Sequence, residues 1–169
     1  PRFASMPFKI DEAEGHAFKA LHVRARDEII TLGEALSAPI WERTGTHLSP
    51  SEWHEMMQRD DVIILDGRNK YEADYGHFRG ALCPEVESFR ELPGWIRENL
   101  AAFRDRPILT YCTGGIRCEK LTAWMLDEGF EEVYQLDGGI VSYGKDPEIQ
   151  GHLWDGTCMV FDDRLSVPV

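Results

Sequence analysis

The chain has 169 residues, 43% hydrophobic and 28% charged, the make-up of one globular core with extensions rather than of a disordered or fibrous chain. A net charge of −12 excludes the broad positive field of a generic nucleic-acid coat and leaves only local basic patches. No apolar run reaches the length of a membrane span and no signal peptide opens the chain, so we expect a cytoplasmic protein; the start at Pro1 rather than Met reads as that of a fragment.

Residues 1–47 differ in character from the rest of the chain. Leu21-His22-Val23-Arg24-Ala25-Arg26-Asp27-Glu28-Ile29-Ile30 alternates apolar and polar residues in its first half, which predicts a half-exposed strand. One strand cannot fold alone, so the segment reads as the tail of a truncated domain or an arm on the main body. Residues 33–45, bounded by glycines and holding Pro39, read as a linker.

The main domain is expected over 48–150. Ser49-Pro50-Ser51-Glu52 predicts a helix to about residue 58, with Ser49 as N-cap, Pro50 at the first helical position and Glu52 closing a capping box. Val62-Ile63-Ile64-Leu65-Asp66 reads as a strand buried on both faces. Next come a short helix over 69–75, a short strand at Ala81-Leu82-Cys83 and a helix over 95–103. The run 108–111 predicts a central strand, 119–128 a helix stopped by Gly129, and 133–136 a strand closed by Asp137-Gly138-Gly139. Strands alternating with helices predict an α/β fold, a parallel sheet flanked by helices. In residues 151–169, a C-terminal extension, Thr157-Cys158-Met159-Val160-Phe161-Asp162 suggests an edge strand.

The chemistry concentrates at the end of the central strand. Cys112-Thr113-Gly114-Gly115-Ile116-Arg117 carries a thiol straight from a strand into a Gly-bearing loop and a helix start. Backbone N–H groups converging there favour an anion, so Cys112 is expected to be a low-pKa thiolate, a nucleophile or persulfide carrier. Such sites lie at the C-terminal ends of parallel strands. Arg117 is expected to orient the loop or meet an anionic group. Cys118 begins the helix as a packing residue or as a resolving thiol for oxidised Cys112. Arg68 and Glu72 suit an i,i+4 ion pair. His77 reads as a hydrogen-bonding brace ahead of the other reading, a base, and Cys83 and Cys158 read as packing residues. Arg117 and Lys120 are the candidates for a local basic cluster that would meet a polyanion. No cysteines stand in C-x-x-C spacing and nothing resembles a flavin, haem or iron site, so neither metal nor cofactor is expected from the residues.

Three ordered motifs resemble rhodanese-like domains: Asp66-Gly67-Arg68 with Glu72, Gly76-His77-Phe78 and Gly80-Ala81; then the Cys112 loop; then Leu136-Asp137-Gly138-Gly139-Ile140. More narrowly, Tyr111 to Lys120, Gly15-His16-Ala17-Phe18, Val23-Arg24, Glu28-Ile29-Ile30, Gly45-Thr46-His47-Leu48-Ser49-Pro50 and Val160-Phe161-Asp162-Asp163-Arg164 are similar to the bacterial tRNA uridine hydroxylases with a central rhodanese domain. That resemblance implies a rhodanese-like fold, tRNA as partner, molecular oxygen as co-substrate, hydroxylation of the wobble uridine to 5-hydroxyuridine, and catalysis by Cys112. It also implies that residues 1–47 hold the remnant of a small α/β domain, most of which is absent here, as is the family's Cys-rich C-terminal segment. Two other readings stay open: a sulfurtransferase passing sulfur from Cys112, and a non-catalytic binding module, which the retained thiol disfavours. The flanking matches favour the hydroxylase.

Overall fold

The structure is a computed structural model and describes residue 15 and residues 18–20, 23–26 and 28–169. Its centre is a four-stranded, all-parallel sheet of β1 (Thr46–Leu48), β2 (Ile63–Asp66), β4 (Ile108–Tyr111) and β5 (Val133–Leu136), in the order β1-β5-β4-β2. Packed around it are α1 (Pro50–Met56), α2 (Lys70–Ala73), α3 (Leu92–Asn99), α4 (Ile116–Asp127) and α5 (Gly139–Lys145). Two small antiparallel pairs complete it: β3 (Gly76–Phe78) with β6 (Trp154–Gly156), and β7 (Cys158–Met159) with β8 (Ser166–Val167).

Side-chain alternation along the strands divides the interior in two. Leu65 and Ile108 join Leu32, Ile96, Trp124 and Val133 in one core. Ile64 and Leu109 face the other way, into Trp53, Phe78, Ile140 and Tyr143. A strand covered on both faces has no solvent side, which explains the unbroken apolar runs of β2 and β4. In the second core Phe78 meets Tyr111, Tyr143 and Trp154 edge-on, with centroids 4.8, 4.8 and 5.0 Å away. The positive edge of one ring there meets the negative face of another.

The capping box predicted at Ser49 is present: its hydroxyl accepts from the Glu52 N–H, and the Glu52 carboxylate accepts from the Ser49 N–H at 2.8 Å. Other elements differ from expectation. No strand forms within 23–26 or 28–30; Val23 and Ile29 are 87% and 71% exposed, and no neighbouring strand completes a ladder there. Leu21, His22 and Asp27 lie outside the described residues. The strand expected at 81–83 is a single parallel bridge, Leu65 to Leu82, cut short by Pro84. The third helix starts earlier, at Leu92, and gives way to a 3₁₀ turn at Ala101–Phe103. The predicted edge strand shrinks to β7, which pairs with β8 rather than with the main sheet.

The segment read as a linker is docked. Ser37 N–H donates to Asp127 at 2.8 Å, Arg43 pairs with the same carboxylate at 2.7 Å, and Gly45 N–H donates to Thr122 Oγ1 at 2.9 Å. A Cβ on Gly45 would stand 2.7 Å from Thr122 Cβ, so the close approach to α4 needs glycine. From Thr46 the chain then enters the central sheet as β1, in register with Tyr134 to Leu136 of β5.

Candidate active site

The Cys112 loop leaves the C-terminal end of β4, the middle of the sheet, and turns at once into α4. The helix starts at Ile116 rather than at residue 119, because Gly115 takes a left-handed conformation (φ +90°) as its N-cap. That early start brings the helix's first N–H groups around the sulfur. Gly115 N–H donates to Cys112 Sγ at 3.2 Å, and the N–H groups of Arg117 and Cys118 also serve it.

The second glycine turn supports the first. Gly139 (φ +66°) packs so tightly under the loop that a Cβ there would come within 2.4 Å of the Cys112 carbonyl oxygen. The first N–H groups of α5 then fasten the loop from below: Ile140 donates to Cys112 O at 3.0 Å, and Val141 to Thr113 O at 3.1 Å. Gly67 closes the remaining side, its N–H donating to Tyr111 O at 2.8 Å. The ordered motifs thus meet in space around one thiol.

The charges are arranged in two buried pairs. Arg68 and Glu72, expected to pair, do not join side chains. Arg68 instead pairs with Asp66 at 2.6 Å, donates to the carbonyl oxygens of Gly76 and Glu72, and lies over the rings of Tyr111 and Trp154. Tyr111 OH donates to the same Asp66 carboxylate at 2.8 Å. Glu72, fully buried, turns to the loop and takes Arg117 in a bidentate pair at 2.6 and 2.7 Å. Arg117 also donates to Thr113 Oγ1 at 3.3 Å, tying the helix start to the loop.

These surroundings set the thiols apart. A hydrogen bond from the Cys118 thiol, the charge of Arg117 and the backbone N–H groups outweigh burial and lower Cys112 from the ordinary value near 9 to about 6. Cys118, fully buried, is pushed well up by burial and by the neighbouring Cys112, so it remains a neutral donor. Burial raises Cys83 to about 11 and raises Cys158 too. Exposure alone would rank Cys83 as the most reactive, since the other three cysteines are buried. Ionisation ranks Cys112 first. Iodoacetamide labelling with peptide mapping should therefore modify Cys112 first at pH 7, with a rate that rises through a midpoint near 6. Labelling of Cys83 first at that pH would contradict this ranking.

Several expected residues sit elsewhere. Thr113 and Gly114 form the loop's outer turn, and Ile116 is 49% exposed at its crest. Lys120 is 8% exposed, pairs with Glu28 at 2.9 Å and donates to Ile30 O, so it clamps the arm onto α4 instead of offering an open charge. With Arg117 committed to Glu72, the expected basic cluster at the loop is not formed by these two residues. His77 lies in β3 opposite Asp155. Among the described residues, no three His, Cys, Asp or Glu side chains gather as a metal ion would require.

Two neighbours of the loop, Cys158 and Phe161, were not placed at it by the sequence. Cys158, from β7, is buried near Thr113, and Phe161 lies over Arg117 with 6.0 Å between ring centroid and guanidinium carbon. The sequence suggested an edge strand returning to pack on the body, but nothing in its spacing put that return at the active-site loop.

Residues 49–146 match the family described as "Rhodanese-like domain". The whole chain is similar to proteins named "tRNA uridine(34) hydroxylase", at 62% identity in Bacillus pumilus and 60% in Bacillus licheniformis, covering 52% of each. The chain therefore spans about half the length of the curated relatives it matches. Among solved structures, it resembles the Alr3790 protein of Anabaena sp., with a TM-score of 0.53 and 21% identity over 64% of this chain and 80% of that one. It also resembles Saccharomyces cerevisiae Ygr203w, with a TM-score of 0.53 and 16% identity over 70% of this chain and 90% of that one. These two likenesses concern the fold.

Proposed function

The chain belongs to the rhodanese-like domain family, and on that premise we propose that it carries the reactive cysteine of an enzyme that hydroxylates the wobble uridine of tRNA to 5-hydroxyuridine in the cytoplasm, with molecular oxygen as co-substrate and Cys112 as the catalytic residue. The observation that carries the reading is the Cys112 cup. A thiol lowered to about 6 is a thiolate at neutral pH, held at a strand end by N–H groups from a helix start. Identity of 62% and 60% over the whole chain to proteins named "tRNA uridine(34) hydroxylase" supports the choice of substrate.

Each residue of the loop has its own part. Cys112 supplies the nucleophile. Gly115, Arg117 and Cys118 hold its charge, and Thr113, Gly114 and Ile116 shape the loop around it. Glu72 fixes Arg117, and Cys118 keeps a proton that it shares with the thiolate. Residues 1–47 are proposed as the remnant of a small α/β domain with its connection, the last two of which already belong to β1 of the central sheet, 48–150 as the rhodanese-like domain, and 151–169 as a C-terminal extension.

The direct test is mass spectrometry of tRNA nucleosides. Cells lacking the protein should lose 5-hydroxyuridine-derived nucleosides at the wobble position, and the restored gene should return them. Unchanged levels in the deletion strain, in the absence of a second enzyme for the same step, would remove the hydroxylase reading. A loss of 2-thiouridine instead would point to sulfur transfer from Cys112.

A further inference from the structure

Phe161 is a large apolar side chain that the C-terminal extension places against the loop's charged pair. Its ring lies over the Arg117 guanidinium, 6.0 Å from centroid to carbon, yet 60% of the residue remains open to solvent. Exposure by itself means little, since much of any protein surface is apolar. The position is what matters: Arg117 is hydrogen-bonded to Thr113 and contributes its charge to the Cys112 thiolate.

The mount is firm. Phe161 sits in the turn between β7 and β8. Val160 N–H donates to Leu165 O at 2.9 Å across its base, and Leu165 N–H donates to Asp162 O at 3.1 Å. Asp162 accepts from the Arg164 N–H at 3.0 Å and pairs with its guanidinium at 2.7 Å. At the root, Cys158 is buried. A ring held this way loses little freedom when a flat partner settles on it.

We propose that Phe161 is the stacking platform for the substrate base, receiving the unpaired uracil on the ring face that Arg117 leaves open, next to the Cys112 loop. The inference rests on the tRNA hydroxylase reading and names how the substrate is held. An enzyme that acts on a base must take it out of its stack, and an aromatic side chain replaces the lost stacking. The local charge favours the neutral base over the phosphate: Phe161 is followed by Asp162, which pairs with Arg164, and by Asp163, and Arg117 is already paired with Glu72. Ile116, next to Arg117 in the sequence, is a second apolar side chain exposed on the loop.

The test is binding of anticodon stem-loop RNA to the whole protein, with uridine or an abasic site at the wobble position, for wild type and for Phe161→Ala, Phe161→Leu and Phe161→Tyr. Loss of one base–aromatic stack should weaken binding of the uridine RNA roughly tenfold in the Ala and Leu variants. Phe161→Tyr should bind like wild type. None of the three should change binding of the abasic RNA. The Cys112 labelling midpoint, kept near 6, shows that the loop is intact. If Leu binds as well as Phe, if both RNAs weaken equally, or if wild type does not distinguish them, the platform does not exist. This readout does not use thiol chemistry. A fully active Cys112→Ser protein would overturn the catalytic reading and leave the stacking contact standing. An inactive one with base-independent binding would do the reverse.

Discussion

Cys112→Ser is expected to abolish wobble-uridine hydroxylation while leaving the protein folded. A serine hydroxyl is not an anion at neutral pH, so every group around the sulfur loses the charge it stabilises. The substitution is close to isosteric, and the new hydroxyl still accepts from Gly115 N–H, so the change in stability should stay within about 1 kcal/mol near pH 6. The pH dependence adds a second signature. The folded-state value of Cys112 lies near 6, below the ordinary value near 9. Between these two the unfolded chain binds more protons than the folded one, so wild-type stability rises with pH across this window and is lost as pH falls through 6. The serine variant should lack that rise. Complementation of a deletion strain, scored by nucleoside mass spectrometry, and thermal melts of both proteins from pH 6 to 9 decide the matter. Full restoration of the modified nucleoside by the serine variant would end the assignment of Cys112 as catalytic.

The parts of this site that could be read from the sequence are those governed by local rules. Cys112 at a strand end, Gly114-Gly115 after it and the Asp137-Gly138-Gly139 turn each announce a backbone requirement, and β2, β4 and β5 announce burial by unbroken apolar runs. What stayed hidden depends on contacts between distant segments. Glu72 stands at the right spacing for Arg68, yet Arg68 finds Asp66 two residues back and Glu72 is left to Arg117, on a different helix. The short β3 and β6 have no strand signature, because their register comes from Gly76 against Gly156, where a Cβ on Gly156 would come within 2.3 Å of the Tyr75 carbonyl oxygen. The segment 33–45 looks like a linker by composition, and only its hydrogen bonds to Asp127, Glu119 and Thr122 show it to be part of the body. Lys120 looked available because a lysine beside a loop usually is, but Glu28 and Ile30 claim it.

Glu72→Gln should be the most damaging single change outside the loop. It keeps the shape of the side chain and removes the charge opposite a buried guanidinium. Breaking one side of a buried ion pair costs about 3–5 kcal/mol, because the remaining charge is left without compensation. Glu72 is fully buried and Arg117 is 8% exposed, so water cannot take over. Glu72 also closes the capping box of α2 by accepting from Asn69 N–H at 3.2 Å; the one carbonyl oxygen of glutamine keeps that acceptor, while its NH2 faces Arg117 and gives up one of the two hydrogen bonds along with the charge. A fall in melting temperature on the order of 10 °C is expected. The second expectation concerns the thiol and has the opposite sign from a simple loss of structure. Glu72 neutralises much of the Arg117 field, so in the fraction that stays folded Cys112 should feel a stronger positive charge. Its labelling midpoint should then move below 6, whereas loosening of the N–H cup would move it up towards 9. A variant that melts like wild type would show that the pair carries no such load. A midpoint that rises would show that Arg117 acts on Cys112 only through the position that Glu72 gives it.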